Sequence, residues 1–279
     1  MSNKNAVAKQ DTAGVPAEYG AYADYAGQGF GNTSSEDYSI PFMHVLQANS
    51  KQVELLEGAK AGMIINTVTN DLFKNDEGIE FIPATTQHVY VEWVPRDAGG
   101  GFVAVHQLDS DVVAKCRAEQ EFGKFKLPNG NDLIETFYVY GILVKKDGSW
   151  ERAVIAFAST KIKKYKSWMS KARTIEIFIK EKNQRIPLPL FAHKYQLKTV
   201  KEKNNKGEFW NWQIAFAGGA DSAEKVRLHP SDDLFQAAVG CLEAVEGGTA
   251  KAAYDSQSET GAEAEAPRAN TSNEEEPPY

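Results

Sequence analysis

Cysteine is scarce in this 279-residue chain: only Cys116 and Cys241, far apart and with no CxxC spacing. That excludes a disulfide-stapled scaffold and makes a reducing, cytoplasmic compartment the expectation. Long apolar runs are missing too. No stretch approaches the roughly eighteen residues of a membrane-spanning helix, and the N-terminus (MSNKNAVAKQDTAG) lacks the apolar core of a secretion signal. The five histidines (His44, His88, His106, His193, His229) are scattered without metal-ligand spacing, so they are expected to be structural, and no metal is expected. HExxH, GxSxG and Walker loops are all missing. Asp132 with Glu135, or Glu151 with Lys161, are carboxylate sets on expected strands, where such groups commonly face solvent. The expectation is therefore no catalytic residue, no cofactor and no enzyme.

What the chain does contain is charge, unevenly placed. Residues 159–206 carry fourteen Lys/Arg against Glu176, Glu181 and Glu202, a local +11 inside a chain whose total is −7. Residues 243–279 hold nine acids and two bases, so the acidic pI of 5.4 belongs to the C-terminal tail and residues 1–242 sum to zero. Aromatics are interleaved with the bases. Phosphates favour cations along a track and unstacked bases favour flat rings, so this segment is expected to bind single-stranded nucleic acid. The cations and rings assigned to that role are Lys161, Lys163, Lys164, Tyr165, Lys166, Trp168, Lys171, Arg173, Arg185, Lys194, Tyr195, Lys198, Lys201, Trp210 and Trp212. Trp168 also suits a core position by its helical spacing, and Trp210 and Trp212 suit one by their strand alternation.

The chain divides into three parts. Residues 1–36 are Gly-, Ala- and Tyr-rich without a period, and read as a disordered arm. The alternative is an arm that docks on a second copy through Tyr19, Tyr22, Tyr25 and Phe30. Residues 37–246 form the domain. Strands are expected at 61–67, 78–83 and 87–94, the last placing Val89, Val91 and Trp93 opposite His88, Tyr90 and Glu92. The glycine-rich stretch 95–101 lacks a following Lys-Ser/Thr and reads as a flexible loop at the rim of the groove. A helix over 109–122 would start at Asp109 or Ser110. Residues 133–144 and 150–158 flank Asp147-Gly148, a strong hairpin signal. Ser159 or Thr160 would cap a helix with Ile162, Tyr165, Trp168 or Met169 and Ala172 on one face. A second hairpin spans 191–200 and 208–216, and a last helix begins at Ser231 or Asp232. Residues 247–279 read as disordered tail. Tethered near the +11 segment, its carboxylates would compete with nucleic acid at high effective concentration.

A mostly β core with basic and aromatic strands, followed by an acidic tail ending Asn273-Glu274-Glu275-Glu276-Pro277-Pro278-Tyr279, resembles bacteriophage single-stranded-DNA-binding proteins. Segments such as IPFMHVLQANS, VYVEWVPRDAGGGF and STKIKKYKSW share the look of phage replication and recombination genes. The resemblance implies an OB-fold, a small Greek-key barrel whose groove holds the strand. It also implies a tail tip (Glu274, Glu275, Glu276, Tyr279) that regulates access and recruits replication and recombination partners in the infected host's cytoplasm. The terminal residue is Tyr where that family more often has Phe. Two rival readings are an annealing or mediator protein that assembles on the same polymer, and a virion or host-interaction module whose basic patch meets an acidic protein.

Overall fold

The computed structural model describes residues 39–120, 125–205, 207–250 and 252–254, together with 25, 28 and 29. The chain divides into two units, Met1–Asp37 and Tyr38–Tyr279, and every numbered strand and helix lies in the second. Most of the expected arm, and the tail beyond residue 254, fall outside the described residues.

The centre of the second unit is an antiparallel pair of long strands, β4 (Ile79–Val94) and β7 (Asp132–Val144). Along one edge of β4 lie β11 (Tyr195–Asn204), paired at Ile79–Phe81, and β5 (Gly101–Gln107), paired from Val89 to Val94. The 3-10 turn Leu190–Ala192 packs on β4 as well. Along the far edge of β7 lie β8 (Trp150–Ala158) and β6 (Phe125–Lys126), and β12 (Gly207–Phe216) pairs outside β11. The protein is thus mostly β, with antiparallel sheets and a few helices. Among the described residues no pairing closes the path from β12 to β6 into a barrel.

The strands expected at 78–83 and 87–94 are one strand with a bulge. Pro83 pairs with Gly141 and Thr85 with Tyr140, leaving Ala84 as the extra residue. That extra residue keeps the apolar pattern in phase. Up to and including it the even residues Ile82 and Ala84 face one core; after it the odd residues Val89, Val91 and Trp93 do so.

Each face of the sheet buries a different layer. The first receives α4 (Asp233–Glu246), whose Ala238, Cys241 and Val245 meet Tyr138, Tyr140, Ile142, Val154 and Ala156. Asp232 precedes α4, but its carboxylate accepts from the His229 N–H and caps no helical N–H. Packing on this side continues past the expected boundary at 246. Ala252 bridges to Ile40, and the Tyr254 ring lies 5.4 Å from Phe102 and 6.0 Å from Phe42.

The second face carries two clusters. One packs Val113 and Cys116 of α2 (Asp111–Glu119) on Tyr90, Phe125 and Leu133. Ser110 accepts from the Val113 N–H and is the cap of α2. The other gathers Phe137, Val139, Ile155 and Phe157 under α3 (Ile162–Arg173) and under a small sheet of β1 (Met43–Val45), β2 (Ile64–Asn66) and β3 (Leu72–Phe73). A short helix, α1 (Lys51–Leu55), connects β1 to β2. Beyond α3, a separate two-stranded ribbon is made of β9 (Glu176–Ile179) and β10 (Gln184–Pro187).

Candidate nucleic-acid interface

The basic segment begins where β8 ends. Ala158 is extended, Ser159 adopts φ 48°, and the chain turns through Ser159–Lys161 directly into α3. Neither Ser159 nor Thr160 caps α3: the residue preceding the helix is Lys161, in αR conformation and with no side-chain cap. Ile162, Tyr165, Trp168 and Met169 form the buried stripe that the 3.6-residue period leads one to expect. At the other end Lys171 and Arg173 occupy the last turn, where cations favour the helix dipole, and the Thr174 hydroxyl donates to the Lys171 carbonyl at 2.8 Å.

That stripe corrects the aromatic assignments. Trp168 is 4% exposed, edge-on to Tyr195 with ring centres 5.2 Å apart, and tilted against Phe157. Trp212 is 1% exposed in the same cluster. Tyr195 is 4% exposed, and burial pushes its hydroxyl up to about 12 against the opposing pull of the Trp168 indole. Rings inside a packed core cannot receive a base, so these three are structural. Tyr165 lies parallel to Phe137 at 4.4 Å and tilted to Phe157 at 5.7 Å, which leaves it half-buried. The Trp210 ring lies on Gly62, where a Cβ would come within 2.7 Å of it. Trp210 N–H and C=O are also held by the Gln47 amide, each at 2.9 Å.

The cations sort into three groups. Lys161 is buried. Lys164, Lys194 and Lys201 are ion-paired, with Glu202 (2.5 Å), Glu80 (3.6 Å) and Glu208 respectively. Burial pushes the Glu202 carboxyl up, but hydrogen bonds from Lys164 and Asn211 outweigh it and hold the group below its ordinary value. Lys194, just before β11, and Lys198 within it alternate with Tyr195, Leu197 and Thr199, which are buried. They therefore point away from the cluster that α3 covers. The third group is Lys163, Lys166, Lys171 and Arg173 on the outer surface of α3, and Arg185 on β10. All are exposed, and none has an ion pair among the described residues.

The ribbon β9–β10 was not expected from the sequence as an element. Asn183, at φ 46°, lets the chain reverse after Lys180–Lys182. Arg185 then falls opposite Phe178, and Ile186 opposite Ile177. One side presents Phe178 and Arg185 together with Glu176 and Pro187, and the other the half-buried Ile177, Ile179 and Ile186. Phe178 is thus a functional candidate absent from the expected set, and Lys180 and Lys182, counted in the basic segment, are candidates not singled out there. The signal that could have found them is the two-residue period of Glu176-Ile177-Phe178-Ile179 before a Lys-Glu-Lys-Asn turn. Across residues 161–187, nine bases face two acids. Chemically the segment offers exposed cations on α3 and on the ribbon that follows it in the chain, with the exposed Phe178 ring among them. The tail residues Glu274, Glu275, Glu276 and Tyr279 lie outside the described residues.

No group of three or more His, Cys, Asp or Glu among the described residues is arranged to hold a metal ion. Among them, too, no helix is long and apolar enough to cross a membrane. Residues 8–251 match the family model described as Pam3 phage gp34-like protein, and the chain belongs to that family. No curated protein and no solved structure matches the chain.

Proposed function

We propose that this member of the Pam3 phage gp34-like family coats single-stranded DNA, independently of sequence, during phage replication and recombination. The observation that carries the reading is the set of exposed cations on α3 that have no ion pair among the described residues, followed in the chain by the β9–β10 ribbon. Like charges crowded on one short helix repel one another, and a polyanion laid along them relieves that repulsion. The family's phage-derived description supports the setting of this activity. The reading does not depend on a closed OB barrel, since the cations sit on a helix and a ribbon that flank the sheet. The acidic tail is proposed to compete for the same cations and to offer its Glu274–Glu276 and Tyr279 tip to replication and recombination partners in the host cytoplasm.

Because Trp93, Trp168 and Trp212 are buried, tryptophan fluorescence would report the interface poorly. The suitable measurement is anisotropy of a labelled oligo-dT titrated with the full chain at several salt concentrations. Binding is expected to weaken steeply with salt. Lys163→Ala, Lys166→Ala and Lys171→Ala combined should lower affinity for all sequences alike and flatten the salt slope by about 2, at roughly 0.7 per phosphate contact. Unchanged affinity and slope would remove α3 from the interface.

A further inference from the structure

We infer that Phe178, on the outer face of the β9–β10 ribbon, is the platform on which an unpaired base stacks, and that it gives the protein its preference for single strands over duplex. The inference rests on the nucleic-acid reading above and deepens it.

The aromatic rings near the cations are nearly all committed elsewhere. Trp168, Tyr195 and Trp212 are core, Tyr165 lies against Phe137, and Trp210 lies on Gly62. Phe178 is 51% exposed, with no ring contact among the described residues. It does not fill a core, because the ribbon's apolar inner side is already supplied by Ile177, Ile179 and Ile186. Arg185 stands directly opposite it, so a guanidinium and a ring share one surface, with Lys180 and Lys182 at the ribbon's tip. That spacing places a phosphate near the cation while its base lies on the ring.

The other well-exposed aromatic among the described residues of this unit shows what the alternative looks like. Trp150 is 44% exposed at the start of β8, but its neighbours Lys145 and Lys146 are neutralised by Glu151 (2.9 Å) and Glu77 (2.5 Å). An exposed ring beside spent cations has no hold on a polyanion. At Phe178 the ring coincides with Arg185, Lys180 and Lys182, which have no ion pair among the described residues.

Duplex DNA keeps its base faces stacked on one another, so cations alone bind both forms, while a ring adds affinity only for unpaired bases. The test is Phe178→Ala in the full chain, titrated with labelled oligo-dT and with a duplex of equal length. Oligo-dT affinity should fall about fivefold to a hundredfold, the range of one lost stacking contact. Duplex affinity should stay the same. Phe178→Trp should restore single-strand binding, whereas Phe178→Leu, apolar but not flat, should not. If the unaltered protein binds no oligo-dT at low salt, the nucleic-acid reading itself fails. If it binds and Phe178→Ala binds equally well, or loses both forms equally, the stacking role is overturned while the cationic interface stands.

Discussion

Gly141 stands opposite Pro83, beside the extra residue of β4, and the two strands approach so closely that a Cβ there would lie 2.2 Å from the Ile82 carbonyl oxygen and 2.7 Å from the Phe81 ring. The backbone oxygen cannot retreat without disturbing the bulge. Gly141→Ala is therefore expected to destabilise the fold by about 1–3 kcal/mol, the usual cost of overpacking. Urea unfolding would measure it, and an unchanged midpoint would mean that the strands can separate at little cost. Residues also show where sequence reading stops. Trp168 falls on the apolar stripe of α3, and a core position and a stacking platform call for the same large flat ring. What separates them is what covers the ring, here Tyr195 from β11. No local pattern around Trp168 contains that partner. The Val89/Val91/Trp93 split from His88/Tyr90/Glu92 was legible, because alternation within one strand is a local property.

Among elements, β12 is the outermost strand on its side of the sheet, and outer strands offer unpaired N–H and C=O groups to other chains. At Trp210 the Gln47 amide donates to the carbonyl and accepts from the N–H, taking the place a further strand would occupy. Gln47→Ala removes both bonds from half-buried groups. A loss of about 1–3 kcal/mol is expected, with self-association through the opened edge at high concentration. Sedimentation velocity alongside urea unfolding checks both, and a monomer of unaltered stability would contradict the assignment. The hairpin β7–β8 and the pair β11–β12 were legible because turn residues and alternation agree over long runs. The continuous β4 was not, since one extra residue interrupts the alternation and imitates a strand end. The ribbon β9–β10 was hidden by its brevity, four residues a side, inside a segment whose charge dominated the reading.

Across the whole molecule, charge is segregated by the sheet. Residues 161–187, which include α3 on one face, carry nine bases and two acids, while residues 217–246, which include α4 on the other, carry six acids and two bases. An approaching polyanion would be turned toward α3 before contact. Stability should also depend on acid. Burial, with Lys161 and Arg227 nearby, depresses His44 well below its ordinary value and brings His193 down to about 4. Both are neutral in the fold, whereas the unfolded chain takes up their protons near 6.5. Stability is then complete above about pH 6.5 and declines as pH falls toward 4, by at most about 1.4 kcal/mol per pH unit per histidine. Urea midpoints measured from pH 7.5 to 5 should fall, and His193→Gln should make the decline shallower. A flat profile would show that neither histidine is held neutral.

Ser159 is a single residue in left-handed conformation, joining the last buried residue of β8 to the turn that starts α3. Beyond it, Ile162, Tyr165, Trp168 and Met169 seat α3 on the sheet. The cationic helix is fixed to the sheet as a lever is fixed to its axle, and its backbone holds its place before any ligand arrives. The loss of chain entropy that a flexible basic loop would suffer on contact has already been met during folding. For the proposed coating of single-stranded DNA, association would then need no slow ordering step and would run at a rate set by encounter.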